Sequence, residues 1–356
     1  MKRILLLICM ISALASCQNA DPDPEPIIDP VEPEDIRSVL ILNQGNWNSN
    51  DASLSLHNFA SYRTKTDFFQ MANGVTLGDL AEDIIVFGDK AYISVSNSGV
   101  IFVIDKSSLK ILGKIRFCEE GGYALSPRKF TTYGKDVYVS YYEGYVGQID
   151  TSSLQLKNLV KVGRNPEGLA ASGGKLYVAN SGGLSYPDYD NTVSVIDCSS
   201  FKLVSTIDVV ENPCDVVADS EGDIYVVSCG NYSDIPSKLQ KIKTSTGQVT
   251  TFDEVDSPTK VAAGSGNTLV IITNAGDILR FDASSSAERL VGNFVTGDTK
   301  VENPYSVSAD PSSGYVFIGT SDYVTTGRVY LFTIDGVFCE TFSCDGLNPQ
   351  KVVLSD

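Results

Sequence analysis

The chain is 356 residues long, 42% hydrophobic and 20% charged, with 44 acidic against 27 basic side chains and a formal net charge of −17. Seven of the negatives fall between Asp21 and Asp35 and two positives stand at Lys2 and Arg3, which leaves −12 on the body from Ile36 onward. That balance excludes recognition of nucleic acid or anionic lipid through a basic patch, and no run of Lys or Arg offers an exception.

In chain order, the sequence opens MKRILLLICMISALASC. A short positive region, an apolar stretch from Ile4 to Leu14 too short to span a bilayer, and small residues before Cys17 describe an export signal over residues 1–16. Leu14-Ala15-Ser16-Cys17 resembles the bacterial lipobox, which implies that Cys17 is acylated and becomes the lipid anchor. Residues 17–36, with CQNADPDPEPIIDPVEPEDI, hold Pro and acid and little to bury, so they read as an extended tether. Acidic residues so soon after the Cys resemble the surface-export signal of Bacteroides-type lipoproteins, which implies the outer membrane, facing the cell exterior. A solvated spacer with no sorting role is the alternative.

From residue 37 to 356 the chain is all strand and turn. The first piece supplies three strands, VLILNQG, ASLSLHN and TDFF. AEDIIVFGDK (81–90) then opens a complete four-strand unit. Thereafter a Pro following Ser or Asn recurs at 127, 166, 213, 258, 304 and 349, with spacings of 39, 47, 45, 46 and 45 residues. Each cycle resembles NPEGLAASGGKLYVANSGG…NTVSVIDCSSFKLVSTIDV, with alternating β-branched and aromatic runs separated by Gly and Asp turns. No window of helical periodicity competes. Four strands per repeat of this length is the mark of a β-propeller. Complete blades begin near 81, 127, 166, 213, 258 and 304, and NPQKVVLSD at the C-terminus is a lone inner strand. Three N-terminal strands plus that one make a seventh blade. The prediction is a seven-bladed β-propeller of four antiparallel strands per blade, closed by pairing of the chain ends, with no free sheet edge at the closure.

In such a blade the turn from second to third strand shares a face with the link to the next blade. Those turns are tight at 96–99, 142–144 and 274–276, but swell at 44–52, 180–191, 228–238 and 320–327. The links at 71–80 and 118–127 are long as well. Loops elaborated beyond what turning requires are where function sits on rigid scaffolds. They carry Trp47, Tyr123, Tyr142, Tyr186, Tyr189, Tyr232, Tyr305 and Tyr323, whose apolar bodies and polar tips suit a binding surface. Packing of loop on loop is the other use of any one of these tyrosines.

Catalytic and metal signals are sparse. The single His, His57, lies in an outer strand of the first blade, away from the proposed face, and reads as a sheet residue rather than a base. One His and no C-x-x-C make a zinc site improbable in composition, so no metal site is assigned. Glu82, Asp83, Glu167 and Asp215, near the starts of inner strands, offer acid–base or metal chemistry, or simply bond backbone and water. Asp188, Asp190 and Asn191 offer either a structural Ca²⁺ site or an Asx turn. Cys339 with Cys344, and Cys214 with Cys229, are candidate disulfides in an exported protein.

The repeat NPxxVA…LYVANs…VSVID…vvsTI resembles the YncE-like seven-bladed propellers over roughly residues 38–356, and the opening VLILNQGNWNSNDASLSLHNF is similar to an element of the BtuG-type surface lipoproteins. The resemblance implies a non-enzymatic protein that captures cobalamin (vitamin B12) at the cell surface and passes it to a TonB-dependent BtuB-type transporter, monomeric apart from that complex. Under that reading the tyrosines and Trp47 cover the corrin rim. Asn48, Asn50 and Asn231 hydrogen-bond the peripheral amides, and Arg128 or Arg164 meets the nucleotide phosphate. A surface glycan- or protein-binding module, and a metal-dependent lactonase-like enzyme, are the alternatives.

Overall fold

The computed structural model describes residues 36–118 and 122–355. The expected export signal, the expected lipidation at Cys17 and the expected tether up to residue 35 lie outside the described residues.

Seven separate four-stranded antiparallel sheets make up the body. In blades 2 to 7 the strands run outward in chain order, from inner strands that start at Ala81, Pro127, Pro166, Pro213, Pro258 and Pro304. Blade 1 takes Ser38–Asn43, Ser53–Asn58 and Arg63–Lys65 from the start of the chain and its inner strand, Pro349–Leu354, from the end. Inner strands of neighbouring blades touch all the way round, including the last to the first. The ring predicted from the repeat is closed as expected.

Burial follows from the stacking. A second strand such as Lys175–Asn180 lies between two other blades, so Leu176, Tyr177, Val178 and Ala179 are all buried. An outermost strand such as Lys202–Asp208 is mostly exposed. The apolar core is therefore distributed over the seams between blades; Tyr225, Phe252 and Phe281, with ring centroids 4.8 to 6.0 Å apart, fill one of them. Polar staples cross the same seams: Ser94 Oγ donates to Arg128 O at 2.6 Å, and Ser140 Oγ to Glu167 O at 2.6 Å.

The recurring Asn/Ser-Pro pair has a geometric origin. The carbonyl before each inner strand accepts a hydrogen bond from the residue after the second strand, as in Ser181 N to Asn165 O (3.1 Å) and Cys229 N to Asn212 O (2.8 Å). To present that carbonyl, Asn165, Asn212, Ser257, Asn303 and Asn348 adopt φ between 45° and 60°. Asn tolerates this left-handed region better than most side chains. Blade 2 lacks the motif but keeps the geometry, with Leu80 at φ 57°. Leu80→Asn is therefore expected to raise stability by about 1 kcal/mol in chemical denaturation; a decrease would mean that the leucine packs more strongly than its backbone strains.

Two local expectations are corrected. TDFF (66–69) is not the third strand: that strand is Arg63–Lys65, and Phe68–Asn73 forms a short helix. Phe69 is buried against Phe102, with centroids 5.0 Å apart, while Asn73 clips the helix to Leu109 O and Ile111 N of blade 2. Tertiary packing overrides local pattern there. Cys339 and Cys344 do not pair and are both buried free thiols. Cys339 lies in the strand Phe338–Ser343, and five extended residues span roughly 16 Å, beyond the reach of a disulfide. Cys214 and Cys229, by contrast, come together with sulfurs 2.7 Å apart, although both are free thiols. His57 is buried among strands, stacked on Phe342 at 3.8 Å and hydrogen-bonded through Nδ1 to Thr64.

Candidate functional site

The four swollen loops share a register. Their preceding strands end at Asn43, Asn180, Ser228 and Thr320. Four residues past those ends stand Trp47, Leu184, Tyr232 and Val324, exposed by 70, 77, 73 and 79%. In three of the loops a glycine, Gly45, Gly182 or Gly230, occupies the second position with positive φ, and a Cβ there would collide with Asp51, Asp190 or Ile235. The glycines let each loop fold tightly over its own base, which lifts the next residues outward. Blades 1, 4, 5 and 7 thus raise an apolar tip from equivalent places on one face. Single exposed apolar residues are ordinary, but a set repeated at equivalent places on one face makes that face the candidate interaction surface.

Behind the tips the aromatics form two groups. Tyr189 lies edge-on to Tyr186 (6.1 Å) and to Tyr232 (6.0 Å), which joins the loops of blades 4 and 5. Tyr305 lies edge-on to Tyr323 at 5.7 Å, and its hydroxyl donates to Gln44. Tyr232 and Tyr323 both hold left-handed backbone, φ 58° and 63°. Such conformations persist only where the surrounding structure enforces them, often at binding sites.

The channel mouth is lined by residues one and two places into each inner strand. A backbone irregularity at that point in blades 2 to 7 lets consecutive side chains face the channel. Arg128 donates twice to Glu167 at 2.9 Å and once to Glu82 at 2.5 Å, and lies 4.8 Å from the Tyr142 ring. Burial raises the Glu167 carboxyl above its ordinary value, and Arg128 opposes that shift. Asp83 accepts from Ile84 N and Phe130 N, and Asp215 from Val216 N and Val261 N. These carboxylates bond backbone and arginine, the simpler of their two expected uses.

The remaining predicted residues divide in the same way. Arg164 reaches Asp188 at 3.4 Å and Asp190 at 3.8 Å and donates to Tyr189 O. Asp190 also accepts from Asn191 N and Thr192 Oγ1, so the acids of the 180–191 loop serve an Asx turn and Arg164. Asn231 caps its own loop through Ser233 N, Ile235 N and Asp234. Asn48 binds Asp79 and Asn97, also within the loops. Trp47, Tyr186, Tyr232 and Tyr323 keep free aromatic surface.

Three hollows that share lining residues open among these groups. The channel encloses ≈ 470 Å³; a second hollow of ≈ 640 Å³ lies among Tyr142, Tyr189, Tyr232 and Lys260; a third of ≈ 540 Å³ lies beside Tyr305 and Tyr323. Leu184, Val324 and Lys260 escaped the sequence reading. Aligning the loops on the last residue of each second strand would have exposed the first two.

The sequence pattern for a domain of unknown function, DUF5074, matches residues 37–339, the greater part of this ring. The chain belongs to the DUF5074 family. No curated protein matches it. Among solved structures the DUF5074 propeller is similar to Kuenenia stuttgartiensis hydrazine synthase, with TM-score 0.56 and 19% identity over 70% of this chain and 74% of that one. It is also similar to U3-55K, with TM-score 0.57 and 15% identity over 72% and 79% of the two chains. At such identities the likeness concerns the fold alone.

Proposed function

We propose that this propeller is a lipid-anchored, non-enzymatic capture protein of the outer cell surface that binds cobalamin on its loop face and delivers it to a TonB-dependent transporter. The observation that carries the binding role is the set of four apolar tips in one register beside three neighbouring hollows. A large ligand with an apolar rim and peripheral amides meets there both aromatic surface and hydrogen-bonding walls. A rigid face set on seven packed blades limits the ordering cost of tight binding. Cobalamin itself is favoured by the resemblance of the opening residues, 39–59, to BtuG-type lipoproteins. Support for a non-enzymatic role comes from the channel carboxylates, which are committed to Arg128 and to backbone N–H groups.

The test is calorimetric titration of the full chain in detergent with cyanocobalamin. One-to-one binding of nanomolar strength is expected, and replacing Trp47 or Tyr232 by Ala should weaken it about 30-fold each, the size of a binding hot spot. No heat at micromolar concentrations would remove cobalamin. The apolar tips, large and repeated, would then favour capture of a protein partner.

A further inference from the structure

The charges at the channel mouth do not all find partners. Arg128 is shared by Glu82 and Glu167, Lys129 donates to Glu82 O at 2.7 Å, and Asp83 and Asp215 are held by backbone N–H groups. Lys260, the second residue after Pro258 in the inner strand of blade 6, differs. Among the described residues no carboxylate oxygen comes within 4.0 Å of its ammonium group, and it makes no side-chain hydrogen bond. It lines both the channel and the ≈ 640 Å³ hollow, whereas Lys351, the equivalent residue of blade 1 and likewise without an ion pair among the described residues, lines the channel alone. In a body of net charge −12, a cation without an ion pair where the channel meets the lining of a second hollow is a specific feature. Burial pulls its ammonium towards deprotonation, but the Asp215 carboxylate opposes that and the ammonium is held above the usual lysine value.

The rest of the hollow fits a particular ligand shape. Tyr142, Tyr189 and Tyr232 form an aromatic wall, and Asn212 and Asn274 add amide groups. Arg128 and Arg164, the cations that stand out in the sequence, are each already bound to carboxylates. We propose that Lys260 receives the oxyanion, a phosphate or carboxylate, of a ligand whose apolar body lies against Tyr142, Tyr189 and Tyr232. This deepens the capture reading and rests on it for the identity of the ligand, which on that reading supplies its nucleotide phosphate.

The full chain and its K260M variant are titrated with three probes: cyanocobalamin, dicyanocobinamide (which lacks the nucleotide phosphate) and phenyl phosphate. K260M should weaken cyanocobalamin about 10- to 100-fold, the effect of one charge-assisted hydrogen bond. Dicyanocobinamide should bind both proteins equally, K260R should restore most of the affinity, and phenyl phosphate should lose its binding in K260M. Unchanged cyanocobalamin affinity, or an equal loss for dicyanocobinamide, overturns the assignment. If neither corrinoid binds the native chain, the capture of cobalamin falls separately. Phenyl phosphate then decides: binding that depends on Lys260 sustains the oxyanion site, and binding that ignores it, or none, ends it. Should K260M not fold, K260Q is read by the same criteria.

Discussion

A chain lacking residues 349–356 should no longer melt cooperatively. The lost strand is the innermost of blade 1, paired with Val39–Asn43 and packed on the inner strands of blades 2 and 7. Pro349 O accepts from Ser306 Oγ at 2.5 Å, Ser308 Oγ accepts from Val352 N at 3.0 Å, and Val352 is buried in the seam between blades 7 and 1. Without the strand, the ladder edge of Ser38–Asn43 and a long apolar seam are exposed to other chains. Broad unfolding by circular dichroism, rapid proteolysis and aggregates on gel filtration are the expected readouts. A monomer with a sharp transition within ~5 °C of the full chain would show that six and three-quarter blades suffice.

Arg128→Met carries the second large effect. It leaves Glu82 and Glu167, exposed by only 4 and 13%, without their common cation. Breaking a buried ion pair from one side costs about 3–5 kcal/mol. The loss should depend on pH in a definite direction. Burial already raises the folded-state value of Glu167 above its unfolded one, and Arg128 restrains that shift. A carboxyl raised on folding favours the folded state in acid and opposes it as pH rises through the folded value. Removing Arg128 raises it further, so the deficit should be greatest near pH 8 and shrink towards pH 5. Urea denaturation at both values measures it. A deficit below ~1 kcal/mol, or one equal at the two pH values, would mean that the cluster is open to water.

The fold was legible because its repeat encodes a backbone need. In five blades Asn or Ser before Pro appears where a left-handed residue presents a carbonyl, and the pair marks the start of nearly every inner strand. Blade 2 was found without the motif because its second and third strands, AYISV (91–95) and IFVID (101–105), repeat those of the other blades. The helix at Phe68–Asn73 left no mark: at six residues it is too short for a periodic pattern, and Phe69 is held by blade 2 rather than by its neighbours in sequence. The site was half legible. Its face followed from loop length, and Trp47 and Tyr232 from their chemistry. The standing of the cations did not, because the partners of Arg128 lie 46 residues before it and 39 after it. Lys260 becomes distinct only when the partners of Arg128 and Lys129 are known and the second hollow, which Lys351 does not reach, is in view.

The closing of the ring also decides how the molecule bears load. Because the last strand lies inside the first, Ser38–Asn43 is hydrogen-bonded on both flanks. A force applied through Ile36 must strip two ladders together, while the Ser38 and Ser355 hydroxyls, 2.6 Å apart, tie the two chain ends where the strain arrives. The ring is thus fastened like a buckle at Ser38–Asn43, where a pull loads both ladders at once.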